Sequence, residues 1–131
     1  SLGQMLSLLG YETQAAFGSL MGLQMLNQIT PDLILLDLHM QGVNGIEVCR
    51  YIRRDTRLAN VPVIAISSNN QEVMISGVRE AGANFFLGKP IEFDALEKVV
   101  RRLFNDNNCI ARLAVAWTGM PGPAYGNVVA G

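Results

Sequence analysis

The chain has 131 residues, half of them hydrophobic, and a formal net charge of −1 at pH 7. This length predicts one domain that can bury a core without disulfides or structural metals. The two cysteines, Cys49 and Cys109, lack the spacing of metal ligands, and they suit a reducing, cytoplasmic setting. The balanced charge, without a basic cluster, argues against nucleic-acid binding, and no apolar run is long enough to span a membrane.

The first part of the chain predicts a helix, a short strand and a second helix. In residues 1–9 the leucines and the methionine recur at helical spacing. Residues 11–16 are a weaker candidate for an extended strand. Ser19 is predicted to cap a helix over residues 20–29, which ends before Pro31 because a residue that precedes proline disfavours helical backbone.

The segment 31–45, PDLILLDLHMQGVNG, is the centre of the predicted fold. Its continuous apolar run suits a strand that is buried on both faces of a parallel sheet. Asp37 interrupts the run near its carboxyl end, and burying a carboxylate is costly unless another group compensates it. Because ligands bind at the carboxyl edge of open α/β sheets, Asp37 is a candidate functional residue. The alternative is an aspartate that only caps the next turn.

Helices and strands continue to alternate after this segment. Asn44 is predicted to cap a helix over residues 45–54, whose arginines face solvent. Residues 61–67, VPVIAIS, form a second buried strand. The asparagines at 69–70 are predicted to begin the next helix, and Gly82 suits the position just after its end.

The last strand and helix of this series lie between residues 84 and 104. Residues 84–87 are predicted to form a strand, followed by a turn at residues 88–90. Asp94 and Glu97 resemble a capping box for a helix over residues 95–104. Strands that alternate with helices imply right-handed crossovers and a parallel sheet.

The remaining residues predict a loop, a segment of strand length and an irregular end. Residues 105–108 read NDNN, which is typical of a loop, and residues 109–117 form an apolar run. Residues 118–131 are rich in glycine and proline, so we expect them to be irregular.

Three of the predicted strands end at polar residues, namely Asp37, Ser67 and Lys89. Because the carboxyl ends of parallel strands share one edge, we expect these side chains to converge. An aspartate can attack phosphorus to form an acyl phosphate, while a lysine and a serine hydroxyl contact the phosphoryl oxygens. A divalent cation normally supplies the remaining positive charge. The alternative is an ordinary Asp37–Lys89 ion pair that closes one end of the sheet.

The sequence resembles the receiver domains of bacterial two-component response regulators from its first helix to about Phe104. The resemblance rests on LILLDLHMQGVNGIEVCRYIR, PVIAISS and AGANFFLGKPI, which occur in that order. It implies a flavodoxin-like, three-layer α/β fold with a central parallel sheet of strand order 2-1-3-4-5. It also implies a cis peptide bond before Pro90 and Mg²⁺-assisted phosphorylation of an aspartate by a histidine kinase.

The resemblance assigns a role to each residue that matches the family motif. Asp37 corresponds to the phosphoacceptor, and Lys89 to the lysine that contacts the phosphoryl group. Ser67 corresponds to the switch hydroxyl and Phe86 to the switch aromatic residue. Asp37 and the backbone carbonyl of His39 correspond to ligands of Mg²⁺.

The sequence departs from the family pattern before its first helix. Receivers that resemble it start with a strand ending in two acidic residues that hold Mg²⁺, whereas the first acid here, Glu12, follows the first helix. Because Mg²⁺ requires several oxygen ligands, we expect phosphorylation to be slow or absent. We hypothesise that residues 110–117 fill the position of that strand, which places Trp117 and Thr118 where the acids would lie. The alternative is an unrelated C-terminal extension.

These inferences predict a receiver-like domain over residues 1–105 and a tail over residues 106–131. The predicted function is phosphorelay signal transduction, in which a sensor histidine kinase or phosphotransfer protein phosphorylates Asp37, without ordinary enzymatic activity. The alternative is a degenerate receiver that binds or dimerises independently of phosphorylation, and a homodimer with exchanged C-terminal strands is compatible with both. A flavodoxin-like cofactor binder lacks the expected glycine-rich phosphate loop after a strand.

Overall fold

A computed structural model describes residues 2–40, 42–104 and 112–119. Within these ranges five helices and five strands alternate along the chain. The helices are α1 (Leu2–Leu8), α2 (Gly18–Gln28), α3 (Gly45–Arg54), α4 (Glu72–Glu80) and α5 (Phe93–Leu103). The strands are β1 (Tyr11–Phe17), β2 (Leu33–Asp37), β3 (Val63–Ser67), β4 (Phe85–Gly88) and β5 (Arg112–Thr118).

The five strands of the described residues form one parallel sheet in the order β1-β5-β2-β3-β4. The last strand in sequence, β5, therefore lies between β1 and β2. It pairs with β1 along its whole length and with β2 from Ala114 to Trp117. The hypothesis that residues 110–117 fill this position is confirmed for residues 112–117, and the strand ends one residue later, at Thr118. Residues 105–111 and 120–131 lie outside the described residues, so the division at residue 105 stays a prediction.

Hydrophobic side chains cover both faces of the sheet. One core lies between the sheet and helices α2, α3 and α4, and includes Leu26, Ile52 and Val78. The other lies between the sheet and helices α1 and α5, and includes Leu6 and Leu96. The three layers confirm the predicted flavodoxin-like fold class, and the strand order matches the implied 2-1-3-4-5 with β5 in the place of strand 1.

The N-termini of α2 and α3 are formed in different ways. Asn44 caps α3 as predicted, since its side chain accepts hydrogen bonds from the backbone amides of Ile46 and Glu47. Helix α2 begins at Gly18, before Ser19, and no side chain caps it, so the predicted Ser19 cap is wrong. Ser19 lies inside the first turn of the helix, and the preceding Gly18 has a φ of 83°.

Two other predicted helix starts also differ from the structure. Helix α5 begins at Phe93 without a side-chain cap, so Asp94 lies inside the first turn and the predicted capping box is wrong. A carboxylate in that turn still interacts favourably with the helix dipole. Helix α4 begins later than predicted, at Glu72, because the Asn69 side chain accepts a hydrogen bond from the Gln71 amide and forms a turn before the helix. Gly82 follows α4 with a φ of 117°, as its predicted position requires.

Arg53 on α3 is half-buried, contrary to the prediction that the arginines of this helix face solvent. Its guanidinium donates to the carbonyls of Gly82 and Val61 and to the side-chain oxygen of Asn84. Burial lowers the pKa of Arg53 from its usual value. Arg53 therefore connects α3 to the segments that lead into β3 and β4. Strand β3 ends at Ser67, and β4 is followed by Lys89.

Candidate functional site

The carboxyl ends of β2, β3 and β4 place the three predicted polar residues at one edge of the sheet. Asp37 is the last residue of β2, Ser67 is the last residue of β3, and Lys89 directly follows β4. Lys89 Nζ lies 2.9 Å from Asp37 Oδ2. Asp37 and Ser67 are buried, with 2% and 0% of their surfaces exposed. The structure thus joins Asp37 to Lys89 and places Ser67 on the strand between them.

The Asp37 carboxylate is compensated on both oxygens. Oδ2 accepts a hydrogen bond from the Lys89 ammonium, and Oδ1 accepts one from the backbone amide of His39 at 2.8 Å. A buried charge is tolerated when it is both paired and hydrogen-bonded, which accounts for the burial of this carboxylate at the end of an apolar strand. His39 itself is exposed and contributes through its backbone.

Ser67 and Phe86 occupy the neighbouring strands β3 and β4. The Ser67 hydroxyl oxygen accepts a hydrogen bond from the Asn69 amide at 2.9 Å, which leaves its proton able to donate. Phe86 is half-buried and packs against the core on the α2–α4 side of the sheet. The peptide bond between Lys89 and Pro90 is cis, as the resemblance implies.

The described residues do not fit a Mg²⁺ site. Mg²⁺ prefers near-octahedral oxygen coordination. The predicted ligands are the Asp37 carboxylate and the His39 carbonyl, and no group of three or more His, Cys, Asp or Glu side chains in the described ranges is suited to hold a metal. On the other side of Asp37, β5 ends in Trp117 and Thr118, neither of which carries a charge. Lys89 is the cation paired with this carboxylate.

Trp117 has a structural role that the sequence analysis did not find. Its side chain is fully buried between β5 and α2, and its Nε1 donates a hydrogen bond to the Gly18 carbonyl at 2.7 Å. A Cβ atom at Gly22 would lie 1.9 Å from the Trp117 ring. The signal in the sequence was the glycine at position 22, inside a predicted helix. The absence of a side chain there lets the indole ring approach the α2 backbone.

The comparison with protein families decides between the interpretations of this site. The sequence matches the model of the response regulator receiver domain over residues 1–101. The chain belongs to this family. Receiver domains are the signalling modules of two-component phosphorelays, interact with histidine kinases or phosphotransfer proteins, and characteristically bind Mg²⁺ at the phosphorylation site.

Individual relatives agree with this assignment. The receiver domain is 34% identical to the DNA-binding dual master transcriptional regulator RpaA of Synechocystis, over 83% of this chain and 45% of that protein. It is 30% identical to the DNA-binding response regulator MtrA of Mycobacterium leprae, over 95% of this chain and 57% of that protein. The chain therefore spans about half the length of these relatives.

A solved structure also matches the receiver domain. The signal receiver domain of a DNA-binding response regulator from Colwellia psychrerythraea is 30% identical to it, with a TM-score of 0.73. The match covers 79% of this chain and 85% of that one. None of the helices in the described ranges has the length and apolar character needed to cross a lipid bilayer.

Proposed function

We propose that Asp37 is the phosphoacceptor of this receiver domain and that Lys89 and Ser67 bind the phosphoryl group. The observation that carries the proposal is the pairing of a buried Asp37 carboxylate with the Lys89 ammonium at the carboxyl edge of the sheet. In the reaction a carboxylate oxygen attacks the phosphorus atom while the bond from phosphorus to the donor's leaving group breaks. The product is an acyl phosphate, whose new negative charge lies beside Lys89.

We propose that this reaction is slow. The incoming phosphoryl group and the Asp37 carboxylate are both negative, and repulsion between them is strong at a buried site. Lys89 is the cation that the structure places against Asp37, and it already compensates the carboxylate. The added charge of the phosphoryl group is therefore stabilised less than it would be in a site with a full set of metal ligands.

We propose that Ser67 and Phe86 transmit the phosphorylated state. The Ser67 hydroxyl can donate its proton to a phosphoryl oxygen, and a movement toward that oxygen would weaken its hydrogen bond from the Asn69 amide. Asn69 in turn forms the turn that precedes α4. Phe86 packs against the same core as α4, so its environment would change with the position of that helix.

The partners that we propose are a sensor histidine kinase or a phosphotransfer protein as the phosphoryl donor. Direct contact of this chain with nucleic acid is not part of the proposal, since its net charge is −1. A homodimer in which β5 is exchanged between copies stays a prediction. In such a dimer the partner's strand would occupy the same position between β1 and β2, so the strand order is the same with and without exchange. Light scattering over a series of protein concentrations tests this dimer.

The phosphoacceptor proposal is tested by incubation with acetyl phosphate, followed by intact mass spectrometry. The wild-type chain should gain the mass of one phosphoryl group over hours, whereas Asp37→Asn should gain none. Asp94→Asn is the matched control, because Asp94 is an exposed aspartate in the first turn of α5, and this variant should behave like the wild type. Equal modification of the Asp37→Asn variant would exclude Asp37 as the acceptor. An unmodified wild type would favour the degenerate, phosphorylation-independent receiver.

A further inference from the structure

The Thr118 hydroxyl is a buried polar group at the edge of the sheet that carries Asp37. Thr118 is 0% exposed, and its Oγ1 atom has no hydrogen-bond partner among the described residues. Buried hydroxyls in folded proteins nearly always have a partner, which is another protein group, an ordered water or a ligand. Within the described residues, the Thr118 hydroxyl is thus a buried donor whose partner is not accounted for.

The strand register places Thr118 beside Asp37. Leu36 on β2 pairs with Trp117 on β5, so the next position in the same register brings Asp37 alongside Thr118. Adjacent strands lie about 4.8 Å apart. Along each strand, alternate residues share one face of the sheet. Leu35 and Ala116 both contribute to the core under α1 and α5, so the residues two positions later, Asp37 and Thr118, belong to that face.

The residue after Thr118 confirms that β5 ends next to the loop that follows Asp37. A Cβ atom built on Gly119 would lie 3.6 Å from the Met40 Cα atom and 3.9 Å from the His39 carbonyl oxygen. His39 is the residue whose amide donates to Asp37 Oδ1. The ends of β5 and β2 therefore meet at the same point of the sheet edge as the carboxylate.

We propose that Thr118 is a further phosphoryl-binding residue of this site, whose hydroxyl donates a hydrogen bond to an oxygen of the phosphoryl group on Asp37. The inference rests on the proposed phosphoacceptor role of Asp37. Lys89 reaches the carboxylate from the β4 side, and Thr118 lies on the opposite, β5 side. A neutral donor on that side stabilises the developing negative charge without a metal ligand set.

The role of a hydroxyl donor differs from that of a cation ligand in its dependence on Mg²⁺. A hydroxyl that donates to the phosphoryl group contributes equally with and without divalent cations. A hydroxyl that only coordinates a cation contributes nothing once the cation is chelated. The rate of modification by acetyl phosphate in EDTA therefore separates the two roles.

The test compares Thr118→Val with Thr13→Val. Thr13 is a matched control, since its Oγ1 atom is also buried without a partner among the described residues. Thr13 on β1 pairs with Ala114 on β5. Ala114 lies four residues before Thr118, so Thr13 is about 13 Å along the sheet from the Asp37 edge. We expect Thr118→Val to lower the phosphorylation rate in EDTA about 10-fold or more, as the loss of an oxyanion donor does. We expect Thr13→Val to retain the wild-type rate and Thr118→Ser to retain most of it.

The outcomes separate this inference from the phosphoacceptor role of Asp37. Equal rates for Thr118→Val and Thr13→Val would overturn the role of the hydroxyl, as would an effect of Thr118→Val that is seen only with Mg²⁺. If the wild type and the threonine variants are modified with Mg²⁺ but not in EDTA, the metal-independent role of the hydroxyl is overturned while Asp37 remains the acceptor. If none of them is modified under either condition, Asp37 is not an acceptor, and both proposals fall together. The emission of Trp117, the one tryptophan of the chain, reports whether each variant is folded. If Thr118→Val does not fold, Thr118→Ala decides by the same criteria.

Discussion

The two sides of β2 hold the Asp37 edge of the sheet by different physical means. On the β3–β4 side, polar contacts dominate, including the Lys89–Asp37 ion pair and the Ser67 hydroxyl at the end of β3. On the β5 side, packing dominates, because Trp117 fills the space against Gly22. The polar side contains the residues with predicted chemical roles, whereas on the packed side Trp117 holds the end of β5 against α2. The charged contacts of this site thus come from one half of the sheet, and the close packing comes from the other.

The two helices that follow these regions repeat the contrast. Helix α3, which follows the Asp37 loop, starts with a side-chain cap from Asn44. Helix α2 starts without one, and its Gly18 carbonyl accepts the indole N–H of Trp117. One helix start thus has a local cap, and the other has a contact with a distant part of the chain but no cap. Three substitutions measure the two sides separately.

The largest expected effect is on the packed side, with Gly22→Ala. The new Cβ atom would lie 1.9 Å from the Trp117 ring, so the ring or the helix must move. We expect the free energy of unfolding to fall by about 3 kcal/mol in urea denaturation, as strong overpacking does. The control is Gly77→Ala on α4, where the new Cβ would lie 3.3 Å from the flexible end of Ile46. Helix propensity should offset that contact, leaving a change within about 1 kcal/mol. Similar losses for both variants would show that Trp117 packing is not the cause.

A smaller effect is expected on the polar side, with Lys89→Met. This change leaves the Asp37 carboxylate buried without its cation, and we expect a loss of about 2 kcal/mol. The Lys89 side chain is 15% exposed, which places the pair near water and keeps the loss below that of a fully buried pair. The double variant Asp37→Asn, Lys89→Met should be more stable than Lys89→Met alone, because a neutral amide needs no counter-charge. A double variant with the summed loss of both single variants would exclude coupling between the two groups.

The smallest expected effect compares the two helix starts. Asn44→Ala removes the cap of α3 and should cost about 1 kcal/mol. Ser19→Ala changes an exposed residue that caps nothing and should leave the free energy of unfolding within about 0.5 kcal/mol of the wild type. Chemical denaturation followed by circular dichroism measures both. A cost for Ser19→Ala as large as that for Asn44→Ala would mean that α2 depends on a cap that the structure does not contain.

The sequence predicted local features where local chemistry decides them. The Asn44 cap is an interaction within one turn, and the buried strands around Asp37 and Ser67 follow from continuous apolar runs. The convergence of Asp37 and Lys89 was also predictable, because parallel strands bring their carboxyl ends together. The Ser19 cap and the Asp94–Glu97 capping box failed for the opposite reason, since residue type alone does not specify which backbone amides a side chain meets.

What the sequence by itself determined is the alternation of helices and strands, the parallel sheet and the acid at its edge, because these depend on short-range periodicity and on the direction of the strands. The sequence left two alternatives for residues 110–117, and the tertiary structure decided that β5 lies between β1 and β2. Only the tertiary structure showed the approach of Trp117 to Gly22 and the burial of the Thr118 hydroxyl. These contacts join residues that are far apart in the sequence, and they depend on how the complete set of elements fills space, which no local pattern encodes.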